Sequence, residues 1–242
     1  MSDIRGVLFD FDGTLARCVP PWPEKHSSVL ARHGLAGLAE AWGDQWEIGP
    51  ADGESHAEHS SDQTAYRRWE LERLRVRARA CGVPAPLLEP LVADLDRATK
   101  GVVMAAYGDA PVVLGQLRQR GLLVGVCSNW YWDLDRELEA VGLRAAVDVA
   151  VTSAQAGARK PHPRIYAQAL AACGLAAGEV LFVGDRWSTD VAGPRAAGMP
   201  ALLLCREGLP PGLALQAGGG WIEDLHALPV LLDAGWTGAG GR

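Results

Sequence analysis

From Asp109 onward the chain alternates helical patterns with short apolar runs, and that alternation most limits its fold. A helical stretch to Arg120 precedes LLVGVC, which ends at Cys127, and a helix over Leu134 to Val141 precedes VDVAV. A helix over Arg164 to Cys173 then leads to EVLFVG, and a short helix near Arg195 leads to ALLLC. Strands this continuously apolar are covered on both faces, as parallel strands joined by helices are. The expectation is an α/β chain with a doubly wound, Rossmann-like parallel sheet. One more such strand stands far upstream, at Val7 to Phe9, so everything between it and its partners reads as an insertion.

The insertion has a different pattern. Arg17-Cys18-Val19-Pro20-Pro21-Trp22-Pro23 is a proline cluster expected to resist both helix and sheet and to act as a hinge. Leu35, Leu38, Trp42 and Trp46 then recur at helical spacing, and Gly49 to Ser60 is polar and turn-like. Asp62 to Ala80 returns to a helical pattern through Tyr66, Trp69 and Leu74, with opposite charges three apart on the remaining positions. A last helix from about Pro86 to Ala98 carries Leu87, Leu88, Leu91, Val92 and Leu95 on one side. Only helices are expected from Arg17 to about Lys100, which gives an α-helical cap over residues 17–102 and a core from 1–16 and 103–242. The glycines at Gly218 to Gly220 and the closing TGAGGR are expected to fray.

The 242 residues can bury a sizeable core. A net charge of -6 argues against nucleic acid or an anionic membrane as the main partner, so any phosphate site has to be built locally. Five scattered cysteines without a Cys-x-x-Cys pair suggest reduced, mostly buried thiols. With no apolar run near membrane length and no signal segment, the expected location is cytoplasmic.

The chemistry begins at VLFDFDGTL. Asp10 and Asp12 stand at the carboxyl end of the first strand, with Phe11 directed away from both. Gly13 allows a sharp turn, and Thr14 is a candidate to bind a phosphate oxygen or cap that turn. An EF-hand also opens Asp-x-Asp, but its twelfth position here is Pro21 and not a bidentate Glu. Ligands of open parallel sheets bind outside the carboxyl ends of the strands. Three later strand ends offer Ser128-Asn129, where a following helix is expected to aim its amides at an anion, then Lys160, then Asp185 with Asp190. Carboxylates converging on one point repel, and Mg2+ relieves such repulsion while keeping room for waters and phosphate. A metal, a lysine, a hydroxyl and amides together meet the needs of phosphoryl transfer, and one carboxylate can attack phosphorus.

FDFDGTL, VCSNW, GARKPHP and GDRWSTD, in this order, resemble the four motifs of the haloacid dehalogenase superfamily. The resemblance covers the core and implies that Asp10 is the nucleophile of an aspartyl-phosphate and Asp12 the general acid and then base. It implies that Ser128 holds a phosphoryl oxygen and that Lys160 neutralises the nucleophile and the transferring group. Asp185 would bind Mg2+ beside Asp10 and the backbone carbonyl of Asp12, with Asp190 orienting the cluster. It implies too that the helical insertion is a cap that closes over the site. Members that dehalogenate lack an aspartate at the position of Asp12, so its presence favours phosphate esters. The expected function is Mg2+-dependent hydrolysis of a small phosphorylated metabolite by a monomer or homodimer. A phosphomutase, or a catalytically weak phosphate-sensing or partner-binding module, stays open on the same motifs. Pro194 departs from the pattern by removing an amide where the helix after Asp190 should begin.

Other signals carry less. Arg32-His33-Gly34 ends an apparent helix instead of following a strand, and the arginine a Cys127 phosphatase loop needs is Asp133. His56 and His59 read as solvated loop residues, and His162 as a cap or flank of the lysine loop. The tryptophans read as packing residues, with Trp22, Trp130 and Trp187 as candidates for an aromatic wall over a leaving group.

Overall fold

The computed structural model describes residues 3–43, 49–208 and 220–235. Trp46, Gly218, Gly219 and the closing TGAGGR lie outside them. The chain divides into two compact units, one of residues 1–17, 51–58 and 105–242 and the other of residues 18–50 and 59–104.

The first unit is built on a six-stranded sheet. In chain order its strands are β1 (Gly6–Phe9), β4 (Leu123–Ser128), β5 (Val149–Thr152), β6 (Val180–Gly184), β7 (Ala201–Leu204) and β8 (Trp221–Ile222). All pairings are parallel, in the order β5-β4-β1-β6-β7-β8. The sheet is thus the α/β, Rossmann-like arrangement expected. β1 lies at the centre, with Phe9 level with Val126 of β4 and Val183 of β6. Alternate residues serve opposite faces: Leu8, Cys127, Val151 and Phe182 pack with Ile165, Tyr166 and Ala169 of helix α8 (Pro163–Cys173). Val7, Phe9, Val124, Val126, Leu181 and Val183 are just as buried, so both faces are covered and the strands need no polar stripe. Helix α5 (Ala110–Gln119) buries Val113, Leu114 and Leu117 and touches β4.

The second unit is helical. Its long helices are α3 (Gln63–Ala80) and α4 (Ala85–Lys100). Leu74 and Ala78 of α3 meet Leu88, Leu91, Val92 and Leu95 of α4, together with Val29 and Leu30 of α1 (His26–Arg32) and the fully buried Trp42. The α3 charges pair as their spacing suggests, Arg67 with Glu70 and Arg75 with Glu72, and also reach α4 through Arg67–Asp96 and Arg75–Glu89. Leu35 precedes a 3-10 turn (Ala36–Leu38) that holds Leu38, and Trp42 ends the short helix α2 (Ala39–Trp42), because glycines at 34, 37 and 43 break a longer run.

The expectation of helices alone between Arg17 and Lys100 fails at its start. Ala16–Val19 forms strand β2, paired with β3 (Val103–Ala106) in a two-stranded ribbon. The prolines at 20, 21 and 23 follow the strand and end it instead of preventing it. Among the described residues no helix is long and apolar enough to cross a membrane.

Candidate active site

β1 delivers Asp10 directly from its buried end, where the Asp10 amide donates to the Val183 carbonyl at 3.0 Å. Ser128 closes β4, Asp185 follows β6, and Lys160 lies between the short helix α7 (Ser153–Ala156), which follows β5, and α8. Lys160 is 1 % exposed, with Nζ 3.0 Å from Asp10 Oδ1 and 2.6 Å from Asp190 Oδ1. The approach to Asp10 is an ion pair outside hydrogen-bonding geometry, which leaves that buried oxygen without a donor. Burial alone would strip the Lys160 proton, but the carboxylates of Asp10 and Asp190 outweigh it and raise the pKa well above that of an ordinary lysine. Its charge is therefore fixed at neutral pH.

Asp10, Asp185 and Asp190 each place an oxygen within 4.8 Å of the others. Burial first, and the Asp10 charge second, push Asp185 up to about 6. Burial likewise pushes Asp190 up, against the opposing pull of Lys160. One ammonium thus faces three carboxylates with an undonated oxygen among them, a donor set that suits a hard divalent cation.

Close packing holds the cluster. Gly13 has φ +82°, and a Cβ there would lie 2.5 Å from Asp185 Oδ2. A Cβ on Gly184 would lie 2.5 Å from Asp190 Cβ. Asp190 sits in a wide π-helical turn, Trp187–Ala192, where its Oδ2 accepts the Arg186 amide at 2.9 Å. The Tyr166 hydroxyl pins that turn by donating to the Thr189 carbonyl at 2.6 Å. The short helix α9 (Gly193–Ala196) begins only after the turn, with Pro194 in its first positions, where a missing amide does no harm.

Several expectations need correction. Thr14 is fully buried, and its hydroxyl donates to Asp185 Oδ1 at 3.2 Å. Asp12 is exposed, and its carboxylate stands outside the three-carboxylate group. No helix follows Ser128 directly, since α6 (Leu134–Ala140) starts six residues on, after a turn in which the Trp130 amide donates to the Ser128 carbonyl. The Asn129 side chain clamps Lys160 at both ends, accepting its amide at 2.7 Å and donating to its carbonyl at 3.1 Å. Of the two loop histidines, His56 is buried and His59 stacks on Trp69, so neither is simply solvated. Trp130 packs edge-on against Phe11, and Trp187 packs against the sheet core under Arg195. Trp22 is 67 % exposed. His162 does cap α8, accepting the Arg164 amide, and Cys127 is a buried strand thiol whose burial pushes it up to about 12.

Two supports carried no sequence signal. Arg206, just past β7, donates to the Thr14 carbonyl at 2.8 Å, grips Asp109 at 2.9 and 3.0 Å, and stacks 3.7 Å over Tyr107. Asp52 belongs to residues 51–58, which pair with the lysine loop through the Ser55–Ala158 bridge. Neither contact is local, so no spacing rule reveals them.

Haloacid dehalogenase-like hydrolase domain-containing protein 3 of Homo sapiens is 31 % identical to this chain over 83 % of it and 82 % of its own length. The phosphoglycolate phosphatase of Rhodospirillum rubrum is 30 % identical over 83 % and 79 %. The solved 2-haloacid dehalogenase from Pseudomonas syringae pv. Tomato DC3000 superposes with a TM-score of 0.63 over 96 % of this chain and 99 % of its own, at 23 % identity, a likeness of fold. The haloacid dehalogenase-like hydrolase family matches residues 4–198. That span contains all four strand ends that meet around Lys160, and this chain belongs to the haloacid dehalogenase-like hydrolases.

Proposed function

We propose that this hydrolase is a Mg2+-dependent phosphatase of small phosphorylated metabolites, working through an aspartyl-phosphate on Asp10. The observation that carries the reading is Lys160, buried between Asp10 and Asp190 with its charge fixed, beside a carboxylate set suited to a divalent cation. Asp12, two residues past Asp10, supplies the acid that an ester leaving group needs and a halide does not. The relative named phosphoglycolate phosphatase supports the same reaction class.

In the first step an Asp10 oxygen attacks phosphorus, the ester P–O bond breaks, and the carboxylic acid of Asp12 gives its proton to the departing oxygen. In the second, the Asp12 carboxylate takes a proton from water as the water oxygen attacks the phosphoryl group, releasing phosphate and restoring Asp10. Lys160 holds Asp10 in place and offsets charge on the transferring group, while Ser128 donates to a phosphoryl oxygen. Asp10 and Asp185, with the backbone carbonyl of Asp12, would hold Mg2+, which supplies positive charge to the phosphoryl oxygens.

Phosphate release from a panel of small esters, with Mg2+ and with EDTA, tests this. Wild type should release phosphate only with metal, and Asp10→Asn should lose at least about 1,000-fold while its circular dichroism is unchanged. Release that survives in Asp10→Asn overturns the reading.

A further inference from the structure

Three donors from three strand-end loops converge on one carboxylate. Asn129 Nδ2 reaches Asp52 Oδ1 at 3.2 Å, Arg159 Nη2 reaches the same oxygen at 3.4 Å, and Arg186 Nη2 reaches Oδ2 at 3.0 Å. Each donor is the sequence neighbour of a residue at the candidate centre: Asn129 follows Ser128, Arg159 precedes Lys160, and Arg186 follows Asp185. The cradle is therefore fixed to the same rigid strand ends as the chemistry. Its occupant comes from elsewhere, from residues 51–58.

Asp52 is not the only tie of that segment. Backbone bonds already zip it to the lysine loop, from the Gly53 amide to the Lys160 carbonyl, from the Arg159 amide to the Glu54 carbonyl and from the His56 amide to the Gly157 carbonyl. The cradle also keeps unused capacity, because Arg159 Nε is buried without a hydrogen-bond partner. Two guanidiniums and an amide around one carboxylate make a site for a planar anion, and Asp52 occupies it as an internal stand-in.

We propose that Asn129, Arg159 and Arg186 form a subsite for a carboxylate on the substrate's leaving group, and that Asp52 fills it until substrate displaces it. The inference rests on the phosphatase reading and narrows its substrates to phosphate esters of small carboxylic acids.

The test compares phosphoglycolate with ethyl phosphate, which is of similar size but has no carboxylate. The kcat/KM ratio of the two is measured for wild type, Arg186→Gln, Asp52→Asn and Arg195→Gln. The last removes the same charge from the same unit at a residue that does not touch Asp52. Calorimetric binding of both esters to Asp10→Asn versions of each provides a readout without turnover. The ratio should favour phosphoglycolate in wild type, fall at least tenfold in Arg186→Gln and rise at least threefold in Asp52→Asn. A ratio within twofold of wild type in both, or one that Arg195→Gln lowers as much as Arg186→Gln, overturns the subsite. If ethyl phosphate is hydrolysed but the ratio never responds, the subsite falls and the phosphatase stands. If nothing is hydrolysed but binding follows the expected order, the subsite stands and the phosphatase reading falls.

Discussion

Arg206 joins the loop after β1, at the Thr14 carbonyl, to Asp109 at the head of α5. Burial would raise the Asp109 pKa, but hydrogen bonds from Arg206 and from the Leu225 amide outweigh it and hold the value below the ordinary one. Folded Asp109 thus binds its proton less tightly than unfolded Asp109 does. Its stabilisation is complete at neutral pH and is lost as pH falls below about 4. Arg206→Ala should cost about 2–3 kcal/mol in urea denaturation at pH 7, and the deficit should shrink at pH 3. Asp185 shows the opposite sign, since burial and Asp10 raise it to about 6. A cation needs the ionised form, so the Mg2+ Kd measured by calorimetry should climb about tenfold per pH unit below that value and level off above it. A flat profile from pH 5 to 8 would remove Asp185 from the ligand set. Gly184→Ala would push its new methyl into Asp190. Activity should then fall about 100-fold through misplacement of Lys160, with about 1–3 kcal/mol lost from overpacking.

Among the elements, the helical unit is stitched by a buried polar chain. Trp42 Nε1 donates to His26 Nδ1 at 3.2 Å, which leaves the His26 proton on Nε2, 2.8 Å from Thr99 Oγ1. Thr99 in turn donates to the Leu95 carbonyl of its own helix at 2.9 Å. Three elements, α1, α2 and α4, are thus joined in a single register. Thr99→Val keeps the shape but removes the hydroxyl that faces His26 Nε2, and should cost about 1–3 kcal/mol in thermal denaturation. Helices α3 and α4 were legible because their apolar positions repeat over several turns. β2 was not, because Arg17 and Cys18 carry no alternation and the prolines after them dominate the reading.

At the scale of the whole molecule, the legible part was whatever each strand does alone. LLVGVC and EVLFVG announce burial on both faces, and the residues after them announce a site. What stayed hidden depends on pairs far apart in sequence: Asn129 gripping Lys160, Thr14 turning to Asp185, and Asp52 lying in the cradle of Arg186. The two-residue β8 is too short to leave a pattern. The position of β1 has one more consequence. Its partners begin pairing at Leu123 and Val180, so the strand made first is held between strands made much later. At a synthesis rate of about 5–20 residues per second, GVLF waits about 10–35 s for its second neighbour. Until then at least one edge of an apolar segment stays bare to the cell, and chaperones that bind such edges have their longest opportunity at the stretch that will carry Asp10.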